Sequence, residues 1–266
     1  RQFYRETSIG TAKPSQEELN AVTHHFINTL SIHQNYSVGD FEKDVIKLLH
    51  ELFTKHNIVF LVGGSGLYID AVIYGVDEFI EVSEATRHFV KENYSQKGIS
   101  WLQEEVKTKD PVYFSNVDQN NPQRLMRALE VCNESGKPYS SFLKNNTSER
   151  EFETIKLLIN QPREILYEKI NKRVDKMVAD GLEAEAQSLY PFKHLNALNT
   201  VGYKEWFMHF SGEITREAAI DLIKQKTRNY AKRQLTWFNN QDNYEEFGPD
   251  DFEKLKAYIE IILQHS

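Results

Sequence analysis

The run Ile58-Val59-Phe60-Leu61-Val62 breaks into Gly63-Gly64-Ser65-Gly66, and a helical pattern opens at Leu67-Tyr68. An apolar, β-branched strand ending in a glycine loop is how α/β proteins set backbone donors at the carboxyl end of a parallel strand, where such folds bind ligands. Glycines let the backbone approach a bound group closely, and the Ser65 hydroxyl can donate or accept at the mouth of such a site. A buried strand that merely ends in Gly-Gly has the same pattern, so the loop alone does not choose between site and scaffold. Gln123, Arg124 and Arg127 lie in the first turns of a helix opened by Asn121-Pro122. A helix amino end attracts anions, and arginines three apart share a face; a charged surface helix has the same spelling. Lys224, Lys226, Arg228, Lys232 and Arg233 follow one another with no acidic residue among them, and Trp237-Phe238 come directly after. Cations neutralise phosphates and aromatic rings stack on bases, which suits a strand of RNA. The plain alternative is a solvated helix face with a buried aromatic end. Val201-Gly202-Tyr203-Lys204 alone means little more than a helix start.

Other chemistries are excluded or disfavoured. No G-x-x-x-x-G-K-[ST] phosphate loop occurs, and Gly10-Thr11-Ala12-Lys13 lacks its spacing. His24 and His25 are adjacent and would point apart on a helix, which argues against metal ligation. A single cysteine, Cys132, rules out an internal disulfide and a cysteine-based zinc site and fits a reducing, cytoplasmic compartment. It reads as a small residue on a helix's packing face. Hydrophobic content of 40% and charged content of 27% are ordinary for a globular protein. No apolar run reaches the length of a membrane span, so no membrane partner is expected. The net charge of −7 weighs against nucleic acid in general, yet leaves room for a local basic patch.

These residues need elements to hold them. Spacing predicts helices over 17–26, 41–56 and 67–73, with Ile58–Val62 as a core strand between the last two. Residues 77–109 are polar and helix-like, Asp110-Pro111 marks a break, and a strong helix runs over 123–134 to Gly136. Thr154–Asn160 reads as a second core strand. Further helices are predicted over 163–177, 182–190, 202–210 and 215–237. The expected organisation is an α/β core of residues 1–76 and 149–266 with a mostly helical insertion at 77–148.

Taken in order, Ile9-Gly10-Thr11-Ala12-Lys13-Pro14, Val62-Gly63-Gly64-Ser65-Gly66-Leu67-Tyr68, Asn121-Pro122-Gln123-Arg124-Leu125-Met126-Arg127-Ala128-Leu129-Glu130-Val131, Val201-Gly202-Tyr203-Lys204 and Ala231-Lys232-Arg233-Gln234-Leu235-Thr236-Trp237-Phe238 resemble the bacterial tRNA dimethylallyltransferase (tRNA isopentenyltransferase) family. The likeness runs from Arg1 to about Phe247. It implies an α/β fold, a P-loop-NTPase-like parallel sheet core with a helical insertion domain. It implies transfer of a dimethylallyl group from dimethylallyl diphosphate to N6 of adenosine 37, in the tRNA anticodon loop, with release of diphosphate. The target base is expected to be flipped out of its stack, with Mg²⁺ and cations meeting the leaving diphosphate. A small-molecule P-loop kinase and a non-catalytic tRNA-binding protein are the alternatives. The prenyl donor separates the first reading from both.

Carried over by motif, Ser65 stands where relatives have Thr and is the expected catalytic contact to the flipped adenosine. Arg1, Gln2, Arg87, Gln123, Arg124, Leu125, Met126, Arg127, Asn199, Thr200, Val201, Gly202, Tyr203, Lys204, Lys232, Arg233, Gln234, Thr236 and Trp237 fall in tRNA-facing segments. Lys204 replaces a frequent Arg and would keep the charge without the bidentate fork. Arg228 and Arg233 are expected to steady the diphosphate. The family's phosphate loop and general-base Asp belong to a unit of roughly 30 residues ahead of Arg1. A truncated chain is therefore expected, inactive by itself and with apolar surface exposed. A monomer is the default.

Overall fold

The computed structural model describes residues 1–77, 79–143, 148–241 and 244–265. They divide into two compact units: Arg1–Ser37, Leu61–Gly66 and Glu153–Ser266 form the first, and Val38–Phe60 with Leu67–Phe152 the second.

The first unit begins with α1 (Gln16–Ala21), which starts at a capping box. Ser15 Oγ accepts from Glu18 N–H at 3.2 Å, and Ser15 N–H donates to Glu18 Oε2 at 2.7 Å. The helix ends five residues short of the expected 26. Beyond it the backbone turns so sharply that Phe26 and Asn28 take left-handed φ of 61° and 58°. Strand β1 (Leu157–Ile159) pairs in parallel with β2 (Glu245–Phe247), in register Leu157 to Glu245. This is the short core of the strand expected over 154–160; Glu245-Glu246-Phe247, with no apolar alternation, gives no signal of its partner. Helices α8 (Arg163–Ala179), α9 (Leu182–Leu189), α10 (Tyr203–Phe210) and α11 (Arg216–Asn239) follow expectation, and α12 (Phe252–His265) was not anticipated. The core of this unit gathers Tyr4, Ile32, Val174, Leu182, Ala186, Leu198, Tyr203, Trp206 and Ile223. With its parallel pair and numerous helices the protein is mixed α/β, the class expected.

The second unit contains α2 (Val38–Phe53), most of α3 (Gly66–Tyr74), α4 (Glu84–Lys97), α5 (Ile99–Lys109), α6 (Pro111–Asn116) and α7 (Pro122–Ser135). In α7, Leu125, Ala128, Leu129 and Cys132 recur at helical spacing and are all buried. Leu125, Ala128 and Leu129 pack with Val90 of α4 and Leu102 and Val106 of α5, so α4–α7 share a core of their own. Asn121 Oδ1 caps Arg124 N–H at 3.3 Å, Pro122 takes the first helical position, and Gly136 closes the helix at φ 67°. Asp110, almost fully buried, accepts from Tyr113 N–H (2.9 Å), Ser140 N–H (2.6 Å) and Ser140 Oγ (2.9 Å), which fixes the break seen at Asp110-Pro111.

The strand expected at Ile58–Val62 does not form. A strand needs a hydrogen-bonded neighbour. Among the described residues the only ladder is β1–β2, with an isolated bridge from Tyr4 to Leu30. Phe60 and Val62 are accordingly 68% and 90% exposed. No described helix is long and apolar enough to cross a membrane.

Candidate functional site

The glycine loop, although not the end of a strand, is held against the carboxyl half of α11. Tyr230, Gln234 and Trp237 stand at i, i+4 and i+7 and so share one helix face. Gln234 Nε2 donates to Gly64 C=O at 2.6 Å. The indole of Trp237 lies over Gly66, and a Cβ at Gly66 or Gly64 would collide with Trp237 or Gln234. Close approach of the indole therefore requires glycine at 66, whereas a side chain at 64 would displace the Gln234 amide from its bond. Ser65 Oγ is exposed, 3.4 Å from Tyr230 Oη, a long contact that leaves the serine hydroxyl largely uncommitted. The Arg233 guanidinium sits 5.6 Å from the centroid of the Tyr230 ring. A hydroxyl, two half-exposed aromatic rings and a guanidinium are thus collected around one short loop, and Lys232 and Thr236 are exposed on the same helical segment.

Arg228 is placed differently. It stands about 140° around the helix from Arg233, and its Nη1 donates to Asn171 Oδ1 of α8 at 2.6 Å. One turn earlier, Lys224 pairs with Asp175 of α8 at 2.6 Å. Within the basic run, Lys224 and Arg228 tie α11 to α8, whereas Arg233 lies beside the ring of Tyr230, which touches Ser65.

The front of the chain forms a second grouping within the same unit. Gln2 Nε2 donates to the carbonyls of Thr11 (3.2 Å) and Ala12 (2.8 Å), and Arg1 Nη1 to those of Asn196 (3.1 Å) and Ala197 (3.2 Å). The turn at Ile9–Thr11 is clamped from α9: Glu185 Oε2 accepts from Ser8 N–H (2.9 Å) and Ile9 N–H (2.8 Å), and Oε1 from Gly10 N–H (3.0 Å). Tyr203 Oη donates to Glu185 Oε1 at 2.7 Å. Burial, with the Glu185 carboxylate added to it, pushes the Tyr203 hydroxyl far above the usual phenol range, so it stays a donor. The Tyr203 side chain is fully buried and serves the scaffold, whereas Asn199 and Lys204 around it are exposed and Thr200 and Val201 half-buried. Gly202 takes φ 101°, and its N–H donates to Glu205 Oε2 at 2.8 Å.

In the second unit, Gln123 and Arg124 are exposed at the amino end of α7. Leu125 is fully buried and Met126 packs against the same core, so their side chains position the neighbours rather than face solvent. Arg127 lies 5.3 Å from the Phe79 ring, which stacks on Tyr139 at 4.9 Å. Burial pushes the Tyr139 hydroxyl up to about 12 and raises the Glu130 carboxyl beside Arg127. Arg87 is exposed near Glu84 at 3.4 Å. Among the described residues no group of three or more His, Cys, Asp or Glu side chains could hold a metal ion, and none is assigned as a ligand.

Residue types and spacing alone pointed to the loop and to the basic-aromatic run but not to their contact. The i, i+4, i+7 spacing of Tyr230, Gln234 and Trp237 was the available signal for it. Glu185 had none: it is one glutamate among several on an amphipathic helix.

The sequence pattern of the family described as IPP transferase matches residues 2–241. The chain belongs to that family. A tRNA dimethylallyltransferase of Christiangramia forsetii is 51% identical over 261 residues, which span 98% of this chain and 86% of that protein. Among solved structures, the full-length tRNA isopentenylpyrophosphate transferase of Bacillus halodurans is 34% identical, with a TM-score of 0.68 over 99% of this chain and 84% of its own. A eukaryotic dimethylallyltransferase acting on tRNA is 20% identical with a TM-score of 0.76, covering 95% of this chain and 66% of its own; at that identity it speaks for the fold alone.

Proposed function

We propose that this IPP transferase family protein moves a dimethylallyl group from dimethylallyl diphosphate to N6 of adenosine 37 in tRNA. The N6 amine attacks the allylic carbon as its bond to the diphosphate oxygen breaks. The bonding electron pair leaves with diphosphate, and the proton of the alkylated amine passes to solvent water. The observation that carries the reading is the Ser65 loop seated on Tyr230, Gln234 and Trp237, with the Arg233 guanidinium beside the Tyr230 ring. It offers a hydroxyl for an extracted base, ring faces for stacking and a cation for phosphate, the combination that a flipped nucleotide needs.

In this reading Ser65 contacts the adenosine. Arg1, Gln2, Arg87, Gln123–Arg127, Asn199–Lys204 and Lys232–Trp237 bring the tRNA into register, the buried Leu125 and Tyr203 by positioning their neighbours. Arg233 serves the diphosphate, and Arg228, held on Asn171 of α8, fixes the helix that carries it. Mg²⁺, which is often held by one or two carboxylates plus substrate phosphates, would neutralise charge on the leaving oxygens. In this reading helices α4–α7 belong to the insertion expected at 77–148, within a second unit that also holds Val38–Phe60, and the protein acts in the cytoplasm as a monomer. No residue of this sequence is assigned the phosphate-loop or general-base role.

The test is incubation of the full-length protein with labelled dimethylallyl diphosphate and unmodified tRNA, followed by nucleoside analysis. Label in N6-dimethylallyl-adenosine from position 37 is the expected result. Binding of tRNA without transfer would favour a non-catalytic binder, and label transfer to a small metabolite alone would overturn the reading.

A further inference from the structure

We infer that Glu185 is a positioning residue for tRNA, acting through the turn at Ile9–Thr11 on Gln2 and through Tyr203 on the 199–204 segment. The inference rests on the proposed transferase reading, since it takes Gln2 and that segment to face the tRNA. One carboxylate accepts from three consecutive backbone N–H groups and one phenol, at 2.7–3.0 Å. Carboxylate bonds to donors of this kind are stronger than neutral ones and set direction as well as energy. The clamped turn presents the carbonyls of Thr11 and Ala12 that hold the Gln2 amide. Ala12 sits at φ 46°, a left-handed conformation that a non-glycine residue keeps only where its surroundings enforce it. Lys13, the next residue, spans Tyr4 C=O (2.5 Å) and Asn28 Oδ1 (2.6 Å), so the turn is fixed on both sides. Gly10 packs so tightly on Tyr203 that a Cβ there would collide with its ring. The two segments are therefore registered to each other by one side chain, which itself lies in neither.

The consequence separates from a merely stabilising role. Glu185→Gln places an amide N–H₂ where one carboxylate oxygen accepted, so at least one pair of donors loses its acceptor. Loosening a docking surface weakens ground-state and transition-state binding of tRNA alike, which raises KM for tRNA and spares kcat. Steady-state transfer by the full-length protein reads this out directly. Glu185→Gln is expected to raise KM for tRNA about tenfold, and Tyr203→Phe, which removes one donor of four, about two- to threefold. KM for dimethylallyl diphosphate should stay at the wild-type value. Gln2→Ala should also raise KM for tRNA, and combined with Glu185→Gln it should do no more than the worse single change, since both break one connection. A lower kcat at unchanged KM, in either variant, would mean a smaller folded fraction and would overturn the inference, as would full additivity with Gln2→Ala. If Glu185→Gln does not fold, Tyr203→Phe with Gln2→Ala carries the same comparison. A wild-type protein that transfers nothing overturns the transferase reading and this inference with it. Normal wild-type transfer with unmoved KM values overturns this inference alone.

Discussion

At the scale of single residues, the site is decided by which polar atoms are left over after folding. Gln234 spends its amide on Gly64 C=O, and Trp237 spends its ring on Gly66, so both hold the loop. Ser65 is different, because its hydroxyl makes only the 3.4 Å contact to Tyr230 and faces solvent. Removing that oxygen should cost the fold little. If it contacts the substrate, Ser65→Ala should lower kcat/KM about three- to tenfold, the size of one lost neutral hydrogen bond. Ser65→Thr restores the oxygen and should stay near wild type. Transfer kinetics beside a melting curve check both: wild-type kinetics in the alanine variant would remove Ser65 from the site. That an uncommitted hydroxyl stands here was legible from residue type and loop position. The opposite holds for Tyr203, which the family resemblance put in a tRNA-facing segment and which is fully buried, with its ring against Gly10 and its hydroxyl on Glu185. A pattern of residue types does not say which side of the backbone is filled.

At the scale of elements, most helices were legible, whereas one of the two expected strands did not form and the partner of the other gave no signal, for a physical reason. A helix satisfies its backbone within itself, so the spacing of Leu125, Ala128, Leu129 and Cys132 and the punctuation by Asn121, Pro122 and Gly136 determine α7 locally. A strand takes its partners from elsewhere in the chain. Leu157–Ile159 finds one in Glu245–Phe247, a segment without apolar alternation, whereas Ile58–Val62, apolar and β-branched, finds none among the described residues. The aromatic group formed by Tyr139, Phe79 and Tyr113 shows how elements answer to pH. Tyr139 and Tyr113 meet edge to face at 4.7 Å. Burial first, and then the neighbouring Tyr113, raise the Tyr139 hydroxyl from 10.0 to about 12. The folded state thus holds this proton more tightly than the unfolded chain. The stability it contributes is complete below pH 10.0 and lost as pH rises towards about 12. Tyr139→Phe should flatten the decline in melting temperature of the helical unit across that window. An unchanged decline would show that other groups cause it.

At the scale of the whole molecule, an acidic protein is being asked to bind a polyanion. The net charge of −7 repels tRNA at long range, while α11 concentrates five cations between Lys224 and Arg233. These opposing terms respond differently to salt. Diffuse repulsion between bodies is screened beyond roughly 10 Å at 0.1 M salt, so added salt relieves it. Contacts between cations and phosphates release condensed counter-ions, and salt weakens them in proportion to their number. Local contacts should win, because Lys226, Lys232 and Arg233 are exposed whereas Lys224 pairs with Asp175 and Arg228 donates to Asn171. The logarithm of the tRNA association constant should therefore fall as the logarithm of salt concentration rises, despite the net negative charge. Each exposed cation on a phosphate should contribute a slope of about −0.7 to −0.9. Lys232→Ala should make the slope shallower by about that amount, whereas Lys224→Ala should leave it unchanged and act on stability through the lost pair with Asp175. Binding isotherms between 50 and 300 mM salt decide the matter. An affinity that rose with salt would mean that diffuse repulsion dominates and that α11 is a scaffold rather than the face that meets RNA.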